Sequence, residues 1–215
     1  MFKVKDFMTK NVICTDKDTT ISEIIDSMNQ NKIHRVPVTE NGQLVGLITE
    51  GMISSSGTGP ATSLSIYELN YLLSKTTVET IMVKNVVSVV ENELMEYATS
   101  KMLKHDIGCL PVVDAQDKVV GILTQNDVFG CFLNVLGWDE VGARITIRMR
   151  DEIGAVGKLS KIFADNGVNI THIGVYSSQD GYANLVLRCD SLKPETICKA
   201  IEDHGYTVLE YYIHQ

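Results

Sequence analysis

The chain has few of the features that would assign it to a membrane, a disulfide scaffold or a nucleic acid. No stretch approaches the roughly 18 uncharged apolar residues that a spanning helix needs, and Met1-Phe2-Lys3-Val4-Lys5-Asp6 leads into no apolar run long enough for a signal peptide. A cytoplasmic protein without a membrane partner is expected. The five cysteines (Cys14, Cys109, Cys131, Cys189, Cys198) are odd in number and contain no close pair, which fits neither a disulfide framework nor zinc-ligand spacing. They read as reduced small hydrophobes. His34, His105, His172, His204 and His214 form no His-x-x-x-His pair, so no metal site is expected. With 27 acidic against 19 basic residues, a net charge of −8 and no dense Lys/Arg run, the footprint of a nucleic-acid binder is missing as well. Small-molecule and protein partners remain. The 44% hydrophobic content over 215 residues is enough for a real core in one or two domains.

What the chain does contain is a repeat. A shift of 74 positions carries Met8-Thr9-Lys10-Asn11-Val12 onto Met82-Val83-Lys84-Asn85-Val86, Met28 onto Met102, and Ile33-His34-Arg35-Val36-Pro37-Val38 onto Ile107-Gly108-Cys109-Leu110-Pro111-Val112. One inserted residue then pairs Val45-Gly46-Leu47-Ile48-Thr49 with Val120-Gly121-Ile122-Leu123-Thr124. Each copy predicts a short extended segment (12–14 and 86–89), a helix and a β-hairpin. In the first copy, Ile21, Ile24, Ile25 and Met28 recur at helical spacing behind the capping box Thr20-x-x-Glu23. Strands over 36–39 and 44–49 flank Asn41-Gly42, a pair suited to the positive backbone angles of a tight turn. The second copy has Asp114-Ala115-Gln116-Asp117 there, and Val128, Phe129, Phe132, Val135 and Leu136 then predict a helix ending at Gly137. Between the copies, Ser54 to Pro60 reads as a flexible linker. Ser65-Ile66-Tyr67-Glu68 opens another helix, whose stripe of Ile66, Leu69 and Leu73 reads as core or dimer contact.

This β-α-β-β-α repeat, with Ile-x-x-x-Pro-Val and Val-Gly-Ile-Leu-Thr-x-x-Asp, resembles the cystathionine-β-synthase (CBS) domain over residues 1 to about 137. The resemblance implies two repeats (1–60, and 61–137 with its linker helix) paired about a pseudo-twofold axis, with clefts that take adenosine-containing ligands such as AMP, ATP or S-adenosylmethionine. It assigns the Thr hydroxyl to phosphate and the Asp carboxylate to the two ribose hydroxyls, roles that a helix N-terminus and an ionised carboxylate can fill. The second copy has the full signature in Thr124-Gln125-Asn126-Asp127, whereas the first reads Thr49-Glu50-Gly51-Met52. One competent nucleotide site is therefore expected, on Thr124 and Asp127, with adenine against Val12 and Ile13 and with Cys109 and Ile122 lining the cleft. Asp127 also reads as a helix N-cap. His34 and Arg35 match positions that face ligand phosphates, and equally suit a strand edge.

From Arg144 the pattern changes. Ile145, Ile147 and Met149 alternate as a strand, Val156, Leu159, Ile162 and Phe163 mark a helix stopped at Gly167, and strands over 169–176 and 182–189, a helix over 194–204 and a strand over 206–213 follow. The order βαββαβ is ferredoxin-like. Asp151-x-x-Gly154-x-x-x-x-Leu159 with Gly167-Val168-Asn169-Ile170 resembles the ACT domain over residues 143–215. The resemblance implies dimerisation and an amino-acid site involving Asp151, Ile153, Gly154, Asn169 and Ile170, with Ile153 replacing the family's usual Pro. Some ACT domains bind nothing and serve only in assembly. CBS pair plus ACT domain, with the helix 64–73, resembles the bacterial acetoin-utilisation B-type family.

An enzyme would need a nucleophile with a base, a carboxylate pair or a metal constellation. Cys109 and His172 are isolated candidates with no partner by spacing. The expected function is a non-enzymatic regulatory sensor that needs no cofactor. Such a sensor would bind adenine nucleotide as a regulatory ligand, form a homodimer and act on an unknown protein target. A ligand-independent dimeric scaffold is the alternative.

Overall fold

The computed structural model describes residues 2–58 and 65–215 of the chain. The sequence motif continuing to Pro60, and Leu64 ahead of the linker helix, lie partly outside them. The chain divides into two compact units, Met1–Cys131 and Phe132–Gln215.

In the first unit, α1 (Val4–Phe7), α2 (Ile21–Asn31) and the hairpin β1 (Arg35–Glu40)–β2 (Gln43–Thr49) are followed by α3 (Glu50–Ile53). A π-helical turn, Ser54–Thr58, continues α3. The linker therefore begins as helix, where its Ser-rich composition predicted irregular chain: the hydroxyls of Ser55 and Ser56 donate back to the carbonyls of Met52 and Ile53. Next come α4 (Ile66–Lys75), α5 (Val78–Ile81), β3 (Val89–Val90), α6 (Met95–His105), the hairpin β4 (Cys109–Val113)–β5 (Val119–Thr124) and α7 (Gln125–Val135). Both expected capping boxes form, Thr20 with Glu23 and Ser65 with Glu68. Each reciprocal pair satisfies amides that a helix start leaves unbonded, and the bonds from Thr20 and Ser65 hold the Glu23 and Glu68 carboxyls below their usual range.

The two hairpins share register. Arg35 faces Thr49 as Cys109 faces Thr124, Pro37 faces Leu47 as Pro111 faces Ile122, and both strands bulge immediately afterwards. Asn41 and Gly42 both take positive φ, 53° and 83°, as the two-residue turn requires. The early extended segments are shorter than their sequence suggests. The first is a single bridge from Thr15 to Val38, and the second begins only at Val89.

The cores do not follow the repeats as counted along the chain. Val4, fully buried, packs with Val89, Met95, Leu110 and Leu123 of the second repeat, while Val78, also fully buried, packs with Ile21, Ile24, Val36 and Ile48 of the first. The exchange is reciprocal in the backbone: Thr9 bridges Ile122 and Val83 bridges Leu47, positions equivalent under the repeat. Gly46 and Gly121 lack side chains because a Cβ on either would run into the sulfur of Met82 and Met8 respectively. These exchanged segments join the two repeats about a pseudo-twofold axis.

The second unit holds β6 (Gly142–Arg150), α8 (Ala155–Asp165), β7 (Ile170–Gln179), β8 (Tyr182–Cys189), α9 (Pro194–Asp203) and β9 (Thr207–His214), in sheet order β7-β8-β6-β9, the ferredoxin-like arrangement. Ile145, Ile147, Leu185 and Leu187 pack beneath Leu159, Phe163, Ile197 and Ile201 of the two helices. The boundary between the units falls inside α7, earlier than the expected stop at Gly137. Cys131 is the last α7 residue buried in the second repeat's core, and Phe132, Leu133 and Leu136 line a pocket on the sheet of the second unit. No helix among the described residues is long and apolar enough to cross a membrane.

Candidate functional site

At the end of β5 the chain turns directly into α7, and Thr124 occupies the cap. Its backbone N–H and its hydroxyl both donate to Asp127 Oδ2, at 2.7 and 2.8 Å. Asp127 is thus the third helical residue, reaching back to the cap in the manner of a capping box, and not the N-cap itself. The arrangement orients the carboxylate while concentrating both bonds on one oxygen.

Cys109 lies opposite Thr124 in the hairpin and Ile122 two residues before it, both buried. Burial pushes the Cys109 thiol up, against a smaller opposing influence of the Arg35 guanidinium, so the side chain is a neutral lining group. Arg35 reaches across from the first repeat: its Nη2 is 3.0 Å from where a Cβ on Gly108 would stand, with Gln125 Oε1 at 3.3 Å from the same point. The missing side chain at Gly108 makes that approach possible. Because Thr15 pairs in parallel with Val38, the residues just before it run alongside the start of β1. That places Val12 and Ile13 by the Arg35 end of the strand, where Ile13 keeps 36% of its surface open. Arg35, Cys109, Ile122, Thr124 and Asp127 are brought to one end of the paired hairpins. His34 is committed elsewhere, its Nδ1 2.7 Å from Glu50 Oε2 on the exposed first-repeat side. Gly108, Gln125 and Glu50 escape a reading of the sequence, although Glu50 and Gln125 each follow the Thr of the strand-to-helix turn and are marked by that position.

The first repeat builds the same turn less completely. Thr49 caps α3 by accepting from the Met52 amide at 3.2 Å, but Met52 has no carboxylate to return the bond, and α3 runs only four residues before its π-turn.

The five residues expected to bind an amino acid are not assembled within one chain. Arg150 and Ile170 sit at opposite ends of β8, against Tyr182 and Cys189. Seven residues of strand put Asp151, Ile153 and Gly154 about 23 Å from Asn169 and Ile170. The Asp151 amide is bonded to the Gly181 carbonyl, Ile153 is fully exposed, and Gly154 opens α8 at φ 83°. At the other end, the Asn169 backbone is pinned to Asp190 and Ile170 packs on the domain core. The text Gly-Val-Asn-Ile follows a helix that carries the chain back along the sheet, a distance that residue spacing does not reveal.

Comparison with known proteins decides the family. Residues 4–56 and 78–134 match the CBS domain, and residues 143–208 the ACT domain. The chain belongs to the CBS-domain family. Its CBS pair carries a C-terminal ACT domain, and both are regulatory modules. Among solved structures, the CBS domain pair of protein MJ0100, in complex with 5'-methylthioadenosine and S-adenosyl-L-methionine, is 31% identical with a TM-score of 0.51, covering 64% of this chain and 98% of that one. A putative acetoin utilization protein (AcuB) from Vibrio cholerae is 28% identical with a TM-score of 0.53, covering 65% and 96%. The L-aspartate semialdehyde sulfurtransferase of Methanocaldococcus jannaschii is 32% identical over 130 residues, 60% of this CBS protein, which spans only 23% of the sulfurtransferase.

Proposed function

We propose that this protein is a regulatory sensor that binds one adenosine-containing ligand, of the AMP or ATP type, at the end of β5. The observation that carries the reading is the carboxylate of Asp127, held at the first turn of α7 by the Thr124 amide and hydroxyl. One carboxylate oxygen faces the cap and the other is left to accept from a vicinal diol. The amides at the start of the 11-residue α7, with Arg35 across the repeat interface, suit phosphate. Val12 and Ile13 offer an apolar wall for the base. In the MJ0100 pair the bound molecules are adenosine compounds, which supports the same ligand class here.

The protein acts by occupancy and not by turnover. Ligand binding shifts the balance between arrangements of the chain or of a homodimer that a protein target distinguishes, which requires unequal affinity for the two states. Tyr67 and Tyr71, 84% and 64% exposed on α4, suit a dimer contact or that target, and they also favour the second reading, a scaffold that assembles without ligand. The test is calorimetric titration of wild type and Asp127→Ala with AMP, ATP and S-adenosylmethionine, alongside prolonged incubation with ATP. One saturable event per chain, lost in the variant, with ATP intact, supports the sensor. Absence of heat with all three selects the scaffold, and hydrolysed ATP would make the protein an enzyme.

A further inference from the structure

A second site lies in the ACT unit, on the sheet face opposite α8 and α9. Four side chains stand in one row across the strands: His172 of β7 is paired with Arg188 of β8, Arg188 with Arg144 of β6, and Arg144 with Tyr212 of β9. Like charges directly opposite one another in a sheet repel, so such a row needs counter-charges. Arg144 has one, lying 3.2 Å from Glu210, and the His172 ring has an acidic neighbour of its own, Glu140 at 3.3 Å.

Arg188 does not. It is 94% buried, at 6% relative exposure, and among the described residues its guanidinium makes no hydrogen bond or ion pair. Its companion there is the Trp138 ring, 5.7 Å from the guanidinium carbon. A buried charge left unpaired is among the costlier things a fold can retain. This charge opens into space: Arg188, Arg144 and Trp138 line both a pocket of about 330 Å³ and an adjoining one of about 370 Å³.

We propose that this face is a binding site for a small monoanionic carboxylate with an aliphatic or aromatic body, the carboxylate seated on Arg188. The charge count sets the monoanion, because of the two arginines in the row only Arg188 is uncommitted. The walls set the body, since most of the first pocket's lining is apolar, with Phe132, Leu136, Ile173 and Val186 among it. None of the residues lining either pocket is acidic, so the ammonium group of an amino acid would sit unmatched beside a guanidinium. The ligand is thus a simple or 2-oxo carboxylic acid, and the site is separate from both the nucleotide cleft and the β6–α8 loop. A guanidinium fork is the natural bidentate partner for it.

Trp138 is the single tryptophan of the chain and stands on Arg188, so its fluorescence reports the site directly. The full chain is titrated with phenylacetate and with 4-methyl-2-oxopentanoate, and in parallel with phenylalanine, leucine and inorganic phosphate, with calorimetry as the second readout. The two carboxylates are expected to give a saturable response and a rise in melting temperature, while the zwitterions and phosphate give none. Arg188→Met, checked for folding by circular dichroism, should weaken carboxylate binding by about tenfold or more. Should that variant fail to fold, Arg188→Lys carries the test: it keeps the charge, loses the fork and should bind several-fold more weakly. Unchanged affinity in the variant that folds, or equal affinity for leucine and its 2-oxo acid, would overturn the proposal. So would inert carboxylates accompanied by a concentration-dependent dimer that Arg188→Met abolishes, which would give this face to a second copy of the chain.

Discussion

The two CBS repeats are built on one plan, with matching hairpin registers and matching bulges, yet they differ where strand becomes helix. In the second, Thr124 and Asp127 close a reciprocal cap on an 11-residue helix. In the first, Thr49 caps a four-residue helix one-sidedly because Met52 cannot answer. The residues at the start of the hairpins differ in the complementary sense: His34 and Arg35 are large and polar where Gly108 and Cys109 are small. Arg35 therefore reaches over Gly108 toward the second repeat's helix start, and nothing on Gly108 reaches back. The shared scaffold thus ends differently in the two copies, one in a carboxylate held by Thr124 and the other in a paired His34–Glu50 surface.

The sharpest way to break this asymmetry is Asp127→Ala. It should abolish nucleotide binding in calorimetry, a loss of about 100-fold or more if the carboxylate holds both ribose hydroxyls through charge-assisted bonds, and should cost about 1 kcal/mol in urea unfolding from the lost cap. The converse substitution, Met52→Asp, supplies the missing partner to Thr49. A second, weaker binding event per chain is expected, and if the stoichiometry stays at one, the first cleft is closed by more than its methionine.

Smaller effects test the exchanged cores. Val4→Ala and Val78→Ala should each destabilise by about 2 kcal/mol, from two lost methyl groups plus an unfilled cavity. Hydrogen exchange should show the damage crossing over, Val4→Ala loosening β4 and β5 and Val78→Ala loosening β1 and β2. Gly46→Ala and Gly121→Ala, which drive a methyl into the opposing methionine, should cost about 1–3 kcal/mol each and by similar amounts.

The smallest expected difference is in pH dependence. Helix α2 has a capping box where its counterpart α6 has Leu94 at the N-cap and no side-chain cap. The Glu23 carboxyl is lowered by its bonds to the Thr20 amide and hydroxyl, so its contribution is present above the unfolded-state pKa and lost as pH falls through the folded one. Thr20→Ala deletes the hydroxyl's bond and keeps the amide's, so it should move the Glu23 titration, followed by NMR, part of the way toward the ordinary carboxylate range and shrink that acid-side loss, while leaving the α6 end of the molecule untouched.

Much of this molecule is legible in its residues alone. Helical spacing locates α2, the Thr20 and Ser65 boxes locate two helix starts, and Asn41-Gly42 locates the turn, because each depends on backbone angles and bonds within a few residues. The unequal repeats are legible for the same reason: Thr-x-x-Asp against Thr-x-x-Met is a local comparison. Three things are decided only in three dimensions. The apolar pattern of Val4 to Met8 matches that of Val78 to Met82, so it fits either repeat's core, and only packing chooses the exchange. Asp151 and Asn169 lie on either side of one helix in sequence, but that helix spans the sheet and puts them at opposite ends. Arg144, His172 and Arg188 are spread along the chain with nothing to connect them, and the register of three strands sets them side by side. Local stereochemistry is written in neighbouring residues, whereas juxtaposition across a sheet depends on how apolar faces find burial together, a choice the whole chain makes at once.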